Sequence, residues 1–435
     1  MKKQLIILAA LLPLLGGCVY DFEAELTGDQ YTVVVEGDII VGGMTTISFT
    51  RLNPELLEGK GQGNNPAPDV YYASSAVIGA LPPWGIPVNF TARVEGEDGT
   101  VVEGQGIGGM CSLDTRSLNP GVKYRLCLHD DVNDLNYASS WESVQTPPVI
   151  DSLSYKIDGN KMDVCVTFHS DGSTPYYCLS YDEQWEYRAY ANTYWRYIPR
   201  GEETPAKGLQ IFPLEEYGLG DRYGRIFDVM EEYPNQTCWN STMAGISTVV
   251  TTGAMVSNKM VDYVFRSLNE NDRRVSVAYR PIVTVRMISQ KSYEYWKSLE
   301  ETSTQTGDLF SPIPSTRRGN ILGVENPQAP VIGYVGVSAA ATGDLFIKNK
   351  DTQFYRTSPY ILNLLRTSAI GSGDAHGVGV QQMISEYMNG NRPWKLEFPE
   401  EESSNPQPYY VWIPERCLDC RTQGGYTYKP EGWPE

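Results

Sequence analysis

The chain has 435 residues, with 53 Asp and Glu against 35 Lys and Arg and a formal net charge of −18. That length exceeds one ordinary domain and implies two or three. The acidic balance, without any Lys/Arg cluster, excludes a nucleic-acid partner, whose phosphates need a positive surface; 41 Gly, 28 Pro and 29 Tyr with few helical periodicities point to a mainly β protein.

Lys2 and Lys3 precede an apolar run from Leu5 to Leu15, too short to span a bilayer, and Leu15-Gly16-Gly17-Cys18 is a small-residue cleavage site ending in cysteine. This resembles the lipobox of bacterial lipoproteins. The resemblance implies a signal peptide over residues 1–17, lipidation of Cys18, and attachment to a membrane through that N-terminal lipid. An ordinary secretory signal with a chance cysteine is the alternative. Loss of Lys2 and Lys3 takes the formal charge from −18 to −20. Residues 18–30 then form an acidic tether, whose Asp21, Glu23 and Glu25 resemble the signal that sends lipoproteins of the Bacteroidota to the outer face of the outer membrane. The expected location is therefore the outer membrane, lipid-anchored and exposed at the cell surface.

Residues 31–37 and 45–52 read as β-branched strands joined through Gly42-Gly43, and 53–69 as a long Gly-, Asn- and Pro-rich loop. A strand over 86–95 and a hairpin at Asp98-Gly99 follow. Leu118-Asn119-Pro120-Gly121 ahead of Tyr124 resembles the tyrosine corner of fibronectin type III and immunoglobulin-like sandwiches, in which the hydroxyl bonds back to the chain it has just left. Thr146-Pro147-Pro148 is a stiff connector. The expected architecture is thus tandem immunoglobulin/fibronectin III-like β-sandwich domains, the first over 31–147. The second, larger one over 148–435 carries one amphipathic helix and long loops.

In the second domain, aromatic residues crowd between Tyr176 and Tyr197. Alternating aromatics on a strand mean core on one face; otherwise Trp185, Tyr187, Tyr190, Tyr194 and Trp195 form a surface for a partner or ligand. Val275, Val277, Tyr279, Val283, Val285 and Met287 alternate as on a half-buried strand. Ser289 stands as an N-cap, and the segment to Thr306 is an amphipathic helix with Tyr293, Tyr295, Trp296 and Leu299 on one arc. Lys297 is spaced for pairing with Glu294 and Glu301. We read this helix as a brace for the second domain's sheet, with the Pro-rich Ser311 to Asn320 loop beside it as a contact surface. A further strand over 355–365, a glycine-rich loop over 371–379 and an acidic linker over 400–408 complete the pass.

Seven cysteines lie beyond Cys18, and past a signal peptide disulfides are the default. Cys165 and Cys178 fall on consecutive strand-like runs and are candidates to pair, as are Cys111 and Cys127. Cys417-x-x-Cys420 reads as a disulfide that staples the C-terminus, with Cys238 left over; pairing of Cys238 with Cys417 or Cys420 is the rival. Zinc is not expected, since only His129, His169 and His376 accompany a single Cys-x-x-Cys. The Gly104-Gln105-Gly106-Ile107-Gly108-Gly109 match to a dinucleotide fingerprint lacks the helix that would hold a pyrophosphate. Asp130, Asp131, Asn133 and Asp134 are weighed as calcium ligands and read as a solvated turn. No nucleophile elbow or zinc-protease motif is present, so no catalytic residue, metal or cofactor is expected.

These pieces resemble a Bacteroidota lipoprotein family known only as domain of unknown function 4249. They include the lipobox with its acidic follow-on, Val33 to Ile39, Leu118 to Tyr124, Cys238-Trp239, and the Ser289 helix through Phe310. Gly333-Tyr334 and the terminal Cys417 to Trp433 complete them. A departure is Val335, where an aromatic would be expected. The resemblance implies a non-enzymatic surface lipoprotein that partners a TonB-dependent transporter, beside which such proteins tend to be encoded, and helps it capture a nutrient ligand. An adhesion or surface-assembly module is the alternative, and a glycan hydrolase with an unidentified carboxylate pair a weaker one.

Overall fold

The computed structural model describes residues 32–52, 85–198, 202, 209–211, 225–253, 255, 257–305, 319–329, 331–352, 354, 365–368, 378–397 and 409–434. Cys18, the tether, the 53–69 loop, the Ser311 to Asn320 loop up to Arg318, and the 400–408 linker lie outside the described residues. So do 355–364 and most of the 371–379 loop, whose end begins a helix, Val378–Met388.

In the first sandwich, alternation decides which face is core. Along Phe90–Gly96 the side chains of Phe90, Ala92 and Val94 are buried while Arg93 is exposed. This strand lies between Val101–Gly106 and Lys123–Asp130, with Leu135–Ser139 next. The facing sheet is built on Thr32–Glu36, Met44–Leu52 and Met110–Asp114. Phe49 from that sheet meets Phe90 and Tyr137 from the other at ring centroid distances of 5.2 and 5.6 Å. The tyrosine corner forms: Tyr124 Oη donates to Asn119 O at 3.0 Å and accepts from Asn119 N–H at 2.8 Å.

The second sandwich sets Val149–Asp158, Lys161–His169 and Lys259–Asn269 against a sheet of Thr237–Thr251, Tyr176–Arg188, Ala278–Met287 and Val337–Asp344. Val166, Phe168, Tyr177, Leu179, Val283, Val285 and Met287 fill its centre. Val275 opens no strand; it closes a short turn of 3-10 helix, Arg273–Val275.

The chain does not leave the first sandwich for good. After the helix it returns to add Ile321–Gly323 beside Leu135–Ser139 and Val331–Ile332 in parallel beside Thr32–Glu36. Ile321, Val331, Val335 and Val337 are buried in the first core. Residues 321–329 and 331–337 therefore lie with the first sandwich, not with the second domain to which a division at residues 147 and 148 assigns them. Gly333 makes the close approach: its φ is +145°, and a Cβ there would stand 2.2 Å from Val35 O. In exchange, Ile39–Val41 of the first sandwich pairs in parallel with Val337–Asp344 of the second. At this seam Arg286 donates to Asp38 at 2.5 Å and to Cys178 Sγ at 3.2 Å, and Asp38 also accepts from Gly336 N–H at 2.7 Å.

The helix, Gln290–Gln305, is capped by Ser289, whose Oγ accepts from Ser292 N–H at 3.2 Å. It braces two things at once. Tyr293 stacks on Tyr176 of the second sandwich, 4.6 Å between centroids, while Tyr295 packs on Tyr334 of the returning segment at 5.7 Å. Lys297 pairs with Glu300 at 3.1 Å and Glu294 accepts from Gln290 at 2.8 Å, while the expected partner Glu301 has its side chain outside the described residues.

Glu36 ends a strand beside Tyr295, and burial pushes its carboxyl above the ordinary value of 4.5. Between that value and the raised one the folded chain holds a proton the unfolded chain has lost, so stability falls as pH rises through this window. Glu36→Gln should raise the melting temperature at pH 7 and remove that fall; thermal melts from pH 4 to 8 check it.

A third unit joins an excursion between two strands of the second sandwich to the C-terminal part. Trp195–Ile198, Leu209–Ile211 and Arg225–Asp228 form one small sheet, and Leu365–Ser368, Tyr409–Pro414 and Asn391–Glu397 another. Tyr197, Ile226, Met383, Tyr410 and Trp412 are their shared core.

Candidate functional site

Tyr176–Arg188 is the central strand of the second sandwich, and its alternation separates two environments. Glu183, Trp185 and Tyr187 turn inward and are buried. Glu183 accepts from Tyr279 Oη at 2.6 Å and from Arg266 Nε at 2.9 Å, while the Arg274 guanidinium lies 5.3 Å from the Trp185 ring centre. Burial first, then the Glu183 carboxylate, push the Tyr279 phenol far above its usual value. This network closes one end of the core. Tyr190 accepts from Arg273 at 3.0 Å, Trp195 packs edge-on against Tyr410, and Tyr194 alone is exposed. The expected partner surface of Trp185, Tyr187, Tyr190, Tyr194 and Trp195 is thus dispersed over a core, its cap and the third unit. Strand alternation and the excursion after Arg188 separate residues that are close in sequence.

The cysteine pairing also differs from expectation. Cys238 bonds Cys420, and Cys417 is a buried free thiol, so the staple does not close within Cys417-x-x-Cys420. Cys238 lies inward on Thr237–Thr251 opposite Tyr187, whose Oη donates to Cys420 O at 3.1 Å. Gln236 Nε2 donates to Leu418 O at 2.6 Å and Asn235 O accepts from Cys420 N–H, so the terminal segment arrives with Cys420 over Cys238. Among the described residues, Cys111, Cys127, Cys165 and Cys178 form no disulfide. Cys165 and Cys178 sit on different sheets rather than on one hairpin, and Cys111 and Cys127 likewise.

Gln184, Glu186 and Arg188 point to the other face of the same strand. The helix covers one end of that face, and the C-terminal tail crosses the other. Tyr426 exchanges backbone hydrogen bonds with Trp239 at 2.8 and 2.9 Å, and its Oη lies 3.1 Å from Ser241 Oγ. Gly425 passes so near Tyr187 that a Cβ would lie 2.0 Å from its Oη. Further on, Glu431 O accepts from Gln184 and Arg280, and Trp433 packs edge-on against Phe346. Tyr428 stacks on Tyr426 with centroids 4.4 Å apart and is 68% exposed. Glu186 stands directly across from Trp239; burial raises its pKa, and Arg188, Lys429 and Lys348 oppose that rise. This corner presents an aromatic face, a carboxylate and ammonium groups, with no nucleophile and base set for covalent chemistry.

Among the described residues no three His, Cys, Asp or Glu are grouped to hold a metal ion. Asp130, weighed above as a calcium ligand, is buried against Arg51 and accepts from Val132 and Asn133 N–H, which makes it the cap of its own turn. The crevice at the seam, lined by Asp38, Glu142, Gln145, Ser289 and Ser338, is too tight to admit a water molecule.

Two successive antiparallel β-sandwiches, the first of five strands against six and the second of three against six among the described residues, with a tyrosine corner in the first, define a tandem fibronectin type III-like protein. A family model described as Domain of unknown function (DUF4249) matches residues 19–344, and the chain belongs to that family. The match takes in the strands of both sandwiches and the helix and ends at Asp344, so Cys417 to Trp433 lie beyond it. No curated protein matches the chain. Among solved structures, a segment of two fibronectin type III domains from chicken tenascin is similar at 11% identity over 59% of this chain and 91% of that one, with a TM-score of 0.16. That superposition is too loose to bear on the fold, which the sheet pairing itself defines.

Proposed function

We propose that the chain is a lipid-anchored protein of the outer membrane, exposed at the cell surface, that serves a TonB-dependent transporter as a non-enzymatic accessory in nutrient capture. The observation that carries this reading is the Leu15-Gly16-Gly17-Cys18 sequence with Asp21, Glu23 and Glu25 after it, close ahead of the first sandwich strand at Thr32. Two sandwiches that share strands behind an acidic tether suit a role in contact rather than turnover, and the family resemblance implies the transporter partnership. Cys18→Ala should abolish incorporation of a palmitate analogue and move the protein out of the membrane fraction. Affinity purification of the wild type from detergent-extracted membranes should recover a TonB-dependent transporter. Recovery of none, with lipidation intact, would leave the adhesion reading in its place.

A further inference from the structure

We propose that the corner where the C-terminal tail crosses the second sandwich is a saccharide-binding site, with Tyr428 as stacking platform and Glu186 and Lys429 as partners for the sugar hydroxyls. The platform is built. The backbone pair with Trp239, the Ser241 contact and the tight passage of Gly425 over Tyr187 fix Tyr426, and Tyr428 lies against it with planes 22° apart. A ring with one face on its neighbour and 68% exposure shows its other face to water.

The surroundings select the occupant. Glu186 is partly desolvated yet has no hydrogen-bond donor among the described residues. Lys348 and Lys429 flank the carboxylate, which disfavours an amine. An apolar protein surface would strand these charges out of water. A sugar ring carries a C–H face for Tyr428 and a rim of hydroxyls that donate to Glu186 and accept from Lys429.

This names the ligand class for the capture role and rests on that reading for its setting alone. Binding is measured on the purified full chain without a transporter, so its failure is distinct from failure of the co-purification. The probes are neutral gluco-oligosaccharides and oligogalacturonates, titrated calorimetrically. Binding of either series, weakened about tenfold by Tyr428→Ala and by Glu186→Gln and largely kept in Tyr428→Phe, is expected. Melting temperatures of the variants should match the wild type, since Tyr428 is exposed. A preference for galacturonates would assign the lysines to the sugar carboxylate. No heat with either series up to about 10 mM, or binding indifferent to Tyr428→Ala, overturns the proposal.

Discussion

Cut after Thr146, the N-terminal part of the chain should fail to fold as a cooperative unit. It retains every strand that its own sequence pattern announces, but it loses Ile321, Val331, Val335 and Val337 from the core. At roughly 1.5–3 kcal/mol for each aliphatic side chain buried, that is a loss of about 6–12 kcal/mol. The stability of a whole domain is about 5–15 kcal/mol. The cut also bares the edge of Thr32–Glu36, where Val331–Ile332 pairs, and leaves Ile39–Val41 without the parallel strand Val337–Asp344. Joining residues 319–337 to the fragment through a flexible linker should restore a cooperative melt. Heteronuclear NMR dispersion and a thermal transition read the outcome, and a well-dispersed spectrum from the bare fragment would show that the return strands are ornament. The helix braces both sandwiches at the same seam, so the first sandwich and the second are expected to unfold together in the intact chain.

Replacing Cys238 and Cys420 by Ala should lower stability by about 2–5 kcal/mol, seen as a shift of the urea midpoint. The bond joins residues separated by 182 positions, and cross-links over long separations remove the most entropy from the unfolded chain. Cys238→Ala alone leaves Cys417 and Cys420 free to close the short loop that their spacing invites. That loop spans so few residues that its chain-entropy effect is smaller by about 3 kcal/mol, so little of the loss should be recovered even if it forms. Protease cleavage should appear first around 415–434 in both variants, because Cys420 ties that segment to Cys238 and only hydrogen bonds and packing, such as those from Tyr187, Gln236 and Trp239, would then hold it. An unchanged midpoint in the double variant would mean that the terminal segment is held by packing and hydrogen bonds.

Local signals were legible where the physics is local. The tyrosine corner at Tyr124, the cap at Ser289 and the inward set of Tyr279, Val283, Val285 and Met287 each follow from residue type and spacing within a dozen positions. The disulfide was half legible: pairing of Cys238 with Cys417 or Cys420 stood as the rival reading, but Cys417-x-x-Cys420 is more attractive as a local pair, whereas the observed partner comes from Thr237–Thr251. The aromatic cluster was half legible: alternation announced a buried face for Trp185 and Tyr187. The turn after Arg188, which sends Trp195 to a third unit, left no periodic trace. The corner at Tyr428 carried no signal, since its parts are Glu186 in one strand, Trp239 in the next and a tail some 190 residues further on.

By itself, the sequence determined that this chain is mainly β, built of sandwiches with a tyrosine corner and braced by one amphipathic helix. Those properties rest on periodicity, capping and turn chemistry, which act over a few residues. Only the tertiary structure decided that the two sandwiches exchange strands, that Cys238 and not Cys417 meets Cys420, and that the outer face of the second sandwich is left to a helix at one end and an aromatic tail at the other. Strand pairing between distant segments depends on which edges are open once the sheets have formed, and a sequence pattern of period two carries no record of its partner.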